Sequence, residues 1–308
     1  MVNLAKSIYL VLFIIELILG FCCNGFIGLM NCINWVKSKR MTSSDLIITS
    51  LALSRIGLLW LPIINILELF HPNLFEERIS NIIVVLWIFS NHLSTGLVTG
   101  LSVHYCLKIA SYSHSAFLWL KWRVSCVVIW ILLGSMLFSF FSMASVIKEF
   151  IVSFSSRQIK YVANCTENIA ERSYTFIFSA FWMVIHFVII LCSSLLLILS
   201  LRRHTQQMKN SNTGSRDPNT EAHLKAARII LSFLFLYTLY FVAFFIVMLN
   251  NYLPDHNLAL MIGEMIITAY PSVHSFIIIL SNNKLKQAFL RMFQIWPERA
   301  VLVTLCPT

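Results

Sequence analysis

Residues Asn81 to Arg123, NIIVVLWIFSNHLSTGLVTGLSVHYCLKIASYSHSAFLWLKWR, constrain the fold most. The stretch is long and apolar enough to cross a membrane, yet it carries Ser90, Asn91, His92, Ser94, Thr95, Thr99, Ser102, His104 and Tyr105. Side-chain donors and acceptors in such number are costly against lipid, so other helices must surround this one and satisfy them. Trp87, Asn91, Ser94, Val98, Ser102 and Tyr105 recur at three- and four-residue steps and share one face of a helix. Trp87 and Tyr105 are 18 residues apart, about five turns and ~27 Å, so this face links the two sides of a bilayer. Past Tyr105 the character becomes basic and aromatic, with Lys108, His114, Lys121, Trp122 and Arg123, which suits an anionic headgroup surface.

The whole chain has the same bias. Of its 308 residues 58% are hydrophobic and 12% charged, a composition that fits one polytopic membrane domain and excludes two soluble ones. Seven spans are predicted, over about 8–35, 45–69, 80–110, 124–147, 174–201, 222–250 and 258–280. The first span is too long, and too poor in small residues at its end, for a cleaved leader. Ser44, ahead of Asp45, offers a start for the second span. The nearly all-apolar fourth span reads as lipid-facing. After Asn282-Asn283, KLKQAFLRMFQIW sets Leu285, Ala288, Phe289 and Met292 opposite Lys284, Lys286 and Arg291. It is read as a short amphipathic helix over about 284–295 on the inner leaflet. The fold class is therefore an all-α membrane protein: a seven-transmembrane helix bundle over residues 1–297, followed by a cytoplasmic tail at 298–308.

The net charge of +10 is explained by where it lies. With these spans, one side holds 16 Lys/Arg against four acids and the other six against seven, while Glu16, Arg55 and Glu264 lie within the membrane. That asymmetry puts the basic side in the cytoplasm and the N-terminus outside. It also removes nucleic acid as a partner, because no soluble basic domain exists to bind it. Asn164-Cys165-Thr166, the one N-x-S/T sequon, falls on the outer side and marks Asn164 for glycosylation. Cys22, Cys23, Cys32, Cys106, Cys126 and Cys192 sit in apolar runs and read as small buried hydrophobes, and no disulfide framework follows. Cys306 is a spare thiol or a palmitoylation site.

Chemistry-bearing motifs are absent. The sequence has no H-E-x-x-H, C-x-x-C, G-x-S-x-G or phosphate-cradling loop, which argues against an enzyme, and no cofactor or metal is expected. A transporter or channel is the alternative, but the odd span count and lack of internal repeats favour a signalling bundle. Trp87, Asn91, Tyr240 and Glu264 are the pocket candidates, each one to two turns into the outer half of its helix. Ordinary helix packing is the competing reading for Trp87 and Tyr240. An acid such as Glu264 is costly to keep in a membrane and favours cationic or donor ligands. Arg55, deep in the second span, needs partners, and Asn24 and Ser275 lie at similar depth. The set forms either a structural clamp or a switch.

Long strings in order carry a family resemblance: Asn24-Gly25-Phe26-Ile27, MTSSDLIITSLALSR, LSVHYCLKIASYSHSAFLWLKWR, SLLLILSLRRHTQQM, GSRDPNTEAHLKAARIILSFLFLY and YPSVHSFIIILSNNKLKQAF. With them the chain closely resembles the bitter taste receptors, the type 2 taste receptor family of G-protein-coupled receptors. That resemblance implies small-molecule bitter agonists and a heterotrimeric G protein with a gustducin-like alpha subunit and beta-gamma. It places Trp87, Asn91 and Glu264 in an outer ligand pocket, with Asn65 and Tyr240 nearby. Asn24, Arg55, Tyr105 and Tyr237 take packing and switch positions, and Lys121 with the stretch Arg202, Arg203, His204 to Lys209 faces the G protein. The marks of rhodopsin-like receptors are missing: His104-Tyr105-Cys106 replaces an acid-Arg-aromatic triplet, and His274-Ser275 replaces Asn-Pro.

Overall fold

The computed structural model describes residues 2–70, 77–159, 167–210, 218–249 and 256–292. Those residues are helical apart from short links, and seven helices are long and apolar enough to cross a membrane. The elements are α1 (Val2–Ser38), α2 (Ser43–Phe70), α3 (Glu77–Ile109), α4 (Ser115–Trp122), α5 (Val124–Ile159), α6 (Glu167–Asn210), α7 (Pro218–Met248), α8 (His256–Ser281) and α9 over 283–292. All but α4 and α9 are the spans. Lengths run past the expected bounds at α5, which extends to Ile159, and at α6, which begins at Glu167 and continues to Asn210 through the basic stretch expected to be a loop. Polar residues there end the apolar run, but nothing in 148–159 breaks a helix.

Neighbouring spans close a ring, α1 on α2, then α3, α5, α6, α7, α8 and back to α1, with α3 also packed on α6. The most apolar stretch of α3 is 56% buried against 17% in α5, so α3 is the central post and α5 faces outward, as the polar and apolar patterns required. Trp130, Leu137 and Phe141 of α5 are well exposed. A seam of small residues lets α5 approach α3 closely, beside ring contacts of Phe140 to Phe89 and of Phe138 to Trp182. A methyl group added at Gly96 of α3 would collide with Ser135 of α5 and lie 3.4 Å from its Cα, and one at Gly100 would lie 2.9 Å from Ile131 Cγ2. Gly96-Leu97-Val98-Thr99-Gly100 is a G-x-x-x-G motif, which lets backbones approach where lipid supplies no hydrophobic drive.

Several local starts differ from the sequence reading. Thr42, not Ser44, caps α2. Asp45 N–H donates to Thr42 Oγ1 at 3.2 Å and Thr42 N–H to Asp45 Oδ2 at 3.4 Å, a reciprocal box that fixes the first turn at Ser43. The basic segment after α3 folds into a separate helix, α4, because His114 Nδ1 accepts from Ala116 N–H at its start. Lys121 Nζ donates to Ala110 O at 2.8 Å, and Tyr112 Oη donates to Leu196 O of α6 at 2.6 Å, pinning this link. Asn282 Oδ1 accepts from Lys284 and Leu285 N–H and starts α9. There Leu285 is buried, and Phe289 packs edge-on against Phe26 of α1.

The six spanning cysteines are not uniformly buried. Cys23 and Cys106 are, but Cys22, Cys32, Cys126 and Cys192 face outward from the bundle. In a membrane span an apolar run does not separate core from lipid side, because lipid is as apolar as leucine. Asn164, Cys165 and the tail with Cys306 lie outside the described residues.

Candidate functional site

The face of α3 that sequence spacing singled out turns inward and divides at mid-height. On the side where α1 and α3 begin, here the upper side, Trp87, Asn91 and Ser94 border a cavity. Lower down, Val98, Ser102 and Tyr105 border a second one. The upper cavity is completed by Leu58, Leu59 and Pro62 of α2, Tyr240 of α7, and Ile267, Thr268, Tyr270 and Pro271 of α8. Its volume is about 30 Å³, room for a water molecule and little else, so a larger occupant must part the surrounding side chains. Two prolines help. Pro62 and Pro271 have no N–H to donate to the carbonyls of Leu58 and Ile267, four residues earlier, and all four residues line the cavity. Helices α2 and α8 are therefore weakened in the same layer.

Tyr240 Oη donates to Asn91 Oδ1 at 2.7 Å in the cavity wall, and both residues are buried. Tyr240→Phe leaves that oxygen with one donor fewer, at a cost of about 1 kcal/mol. The expected result is a lower Tm in the purified protein, largely restored in Tyr240→Phe/Asn91→Leu, where neither polar partner is stranded. Equal Tm in all three proteins would count against this bond.

From Tyr240 a contiguous stack leads into the core. Tyr240 and Tyr270 stack with centroids 4.7 Å apart, Tyr237 meets Tyr270 edge-on at 5.9 Å, and Arg55 Cζ sits 5.5 Å from the Tyr270 ring. The guanidinium is fully buried. Arg55 Nη1 donates to Ser275 Oγ at 2.8 Å and to Pro271 O at 3.4 Å, and Nη2 lies 2.6 Å from His274 Nδ1. Ser275 Oγ in turn donates to Asn24 Oδ1 at 2.7 Å. Thus Asn24, Arg55 and Ser275, singled out at similar depth, tie α1, α2 and α8 together. His274, which sequence reasoning did not name as a partner, completes the clamp; its i+4 relation to Tyr270 puts both on one face. Arg has donors only, so His274 Nδ1 must accept, leaving the proton on Nε2.

Other candidates fall elsewhere. Glu264 does not border the upper cavity, because Tyr9 Oη of α1 donates to its Oε2 at 3.2 Å and holds it toward the α1–α8 boundary. Asn65 lies on α2 and His204 and Lys209 on the last turns of α6, their side chains outside the described residues. Arg202 and Arg203 are exposed there. Tyr237 is fully enclosed against Phe187, and with half-buried Tyr105 it lines the lower cavity. Among the described residues no cluster of three or more His, Cys, Asp or Glu side chains is arranged for a metal.

Comparison with known sequences gives a consistent result. The family described as taste receptor protein (TAS2R) matches residues 1–296. Taste receptor type 2 member 3 of Papio hamadryas is 47% identical over 298 residues, covering 95% of each chain. The Homo sapiens member 3 is 47% identical over 300 residues, covering 96% of this chain and 95% of the relative. Taste receptor type 2 member 7 of Papio hamadryas is 39% identical over 309 residues, covering 98% and 97%.

Proposed function

The chain belongs to the taste receptor protein (TAS2R) family, and from that premise we propose that it detects bitter small molecules in its upper cavity and activates a gustducin-like heterotrimeric G protein. The family is one of receptors, not of enzymes, and the seven apolar spans make the chain a multi-pass membrane protein. The observation that carries the site is the unbroken contact path from the cavity wall to the buried clamp. An agonist that displaces Tyr240 from Asn91 pushes directly on Tyr270, and through it on the group that joins α1, α2 and α8. Binding energy that differs between the two packings then shifts their populations.

In this reading the upper side is extracellular, in the plasma membrane, with the N-terminus outside. The basic lower side, including Lys121, Arg202, Arg203, His204 and Lys209, meets the G protein, and residues 1–297 form the receptor domain with a cytoplasmic tail at 298–308. Trp87 supplies an apolar and cation-attracting wall. Glu264 and Asn65 act at the rim, where Glu264 attracts cationic agonists, and Asn164 carries a glycan. Asn24, Arg55, Tyr105, Tyr237 and Ser275 transmit the change.

The test is G-protein activation in cells that express the chain with a gustducin-like alpha subunit, against a chemically broad panel of bitter compounds. A response is expected in the parent. Trp87→Ala should raise the half-effective concentration about tenfold or more at equal surface expression, as removal of a buried aromatic anchor does. Glu264→Gln should weaken cationic agonists selectively. Activation unchanged in both variants would remove the site assignment, and silence of a surface-expressed parent across the panel would remove the functional reading.

A further inference from the structure

We propose that Tyr9, on α1 and outside the upper cavity, sets the receptor's selectivity for cationic agonists by holding Glu264 aside until a positive charge draws it in, a role that rests on the reading above that Glu264 attracts such agonists. No charged side chain borders the upper cavity. A cation lodged there meets neutral dipoles and aromatic rings but no counter-charge. Glu264 is placed to supply one. Ile267, Thr268 and Pro271 of α8 border the cavity and follow Glu264 by three, four and seven residues. All four therefore share one face of the helix, with Glu264 about one turn above the cavity wall.

Its carboxylate nonetheless lies to one side. Tyr9 Oη donates to Glu264 Oε2 at 3.2 Å across the α1–α8 boundary. Tyr9 is itself anchored, with its ring 5.7 Å from that of Phe13 and packed on the buried cluster of Phe13, Leu17 and Leu59. Leu59 borders the cavity too, so the anchor of this latch abuts the cavity wall. The backbone of α8 is set close against α7 at this level: a methyl group added at Gly263 would lie 2.5 Å from Val247 Cγ2 and 3.5 Å from Ala243 O. Movement therefore falls to the Glu264 side chain, whose rotamers swing the carboxylate between Tyr9 and the cavity. An agonist's cationic group must take the carboxylate from the phenol, and the apparent affinity for cations is reduced by the fraction of receptors in which Glu264 is free. Uncharged agonists need no such exchange.

Dose–response curves for G-protein activation by the full-length chain in cells provide the test, with the parent, Tyr9→Phe, Glu264→Gln and the double variant compared at equal surface expression. The probes are the quaternary ammonium members of a bitter panel, denatonium first, and its uncharged members. Tyr9→Phe keeps the ring against Phe13 and removes only the donor. It should lower the half-effective concentration of the quaternary compounds about tenfold, the loss of one competing hydrogen bond to a charged group, and leave the uncharged ones within about twofold. The gain should vanish in Tyr9→Phe/Glu264→Gln. If Glu264→Gln weakens the cations while Tyr9→Phe leaves them unchanged, Glu264 keeps its part in binding and the latch is overturned. If Glu264→Gln has no effect on them, the reading beneath the proposal fails and the latch with it. An equal gain for charged and uncharged compounds would also overturn it, because the bond would then brace α1 against α8 without regard to charge. So would cations that activate neither the parent nor Tyr9→Phe.

Discussion

Replacing Arg55 by alanine is expected to remove the protein from the cell surface. The side chain makes contacts to Ser275, His274 and Pro271 from one rigid fork, and through Ser275 it reaches Asn24. Hydrogen bonds from a charged donor contribute about 1.5–3 kcal/mol each. Relief from burying a charge offsets part of their loss, and the empty volume adds to it, leaving a net cost of about 2–4 kcal/mol. That is a large fraction of a typical domain's stability. Arg55→Lys should be intermediate, since an ammonium presents a point charge that cannot span the same acceptors. Surface labelling in cells together with Tm of purified protein checks both. An alanine variant with normal Tm would mean that the clamp holds nothing.

Gly96→Leu is expected to be as severe by the opposite route, overpacking. The backbone of α3 meets Ser135 of α5 where a side chain would stand, and because the added group would meet Ser135 Cβ and lie 3.4 Å from its Cα, turning the hydroxyl aside does not make room. Overpacking costs about 1–3 kcal/mol even for modest insertions. Only 17% of the most apolar stretch of α5 is buried in the bundle, so the seam with α3 weighs heavily beside the ring contacts of α5 to Phe89, Phe178 and Trp182. Gly96→Ala should lower Tm by less, and adding Ser135→Gly should recover most of that loss. Such non-additivity is the signature of a shared contact. Purely additive Tm changes would show that α3 and α5 do not meet there.

Much of this arrangement was legible before any coordinates. The 3.6-residue spacing from Trp87 to Tyr105 identified the inward face of α3, and the cost of a charge in lipid brought Arg55, Asn24 and Ser275 together. Periodicity gives azimuth on one helix, however, and says nothing about where a face is interrupted. It did not show that the row divides at Val98 into two cavities. Glu264 illustrates the converse. Its depth matched that of Trp87, but its direction is set by Tyr9, 255 residues away in sequence, which no local pattern reveals. The G-x-x-x-G at Gly96–Gly100 stands in the sequence, but the polar residues around it direct attention to the inward face and not to the contact with α5. The start of α4 depends on one imidazole accepting from a backbone N–H, a detail below the resolution of composition.

The ring of Tyr270 borders the upper cavity and the lower one. It is a party wall, and neither room can be enlarged by moving it without shrinking the other. Anything that fills the space above and displaces this ring downward therefore competes with whatever occupies the space below, with no contact between the two occupants. By reciprocity the penalty each imposes on the other is the same free energy, read from either side.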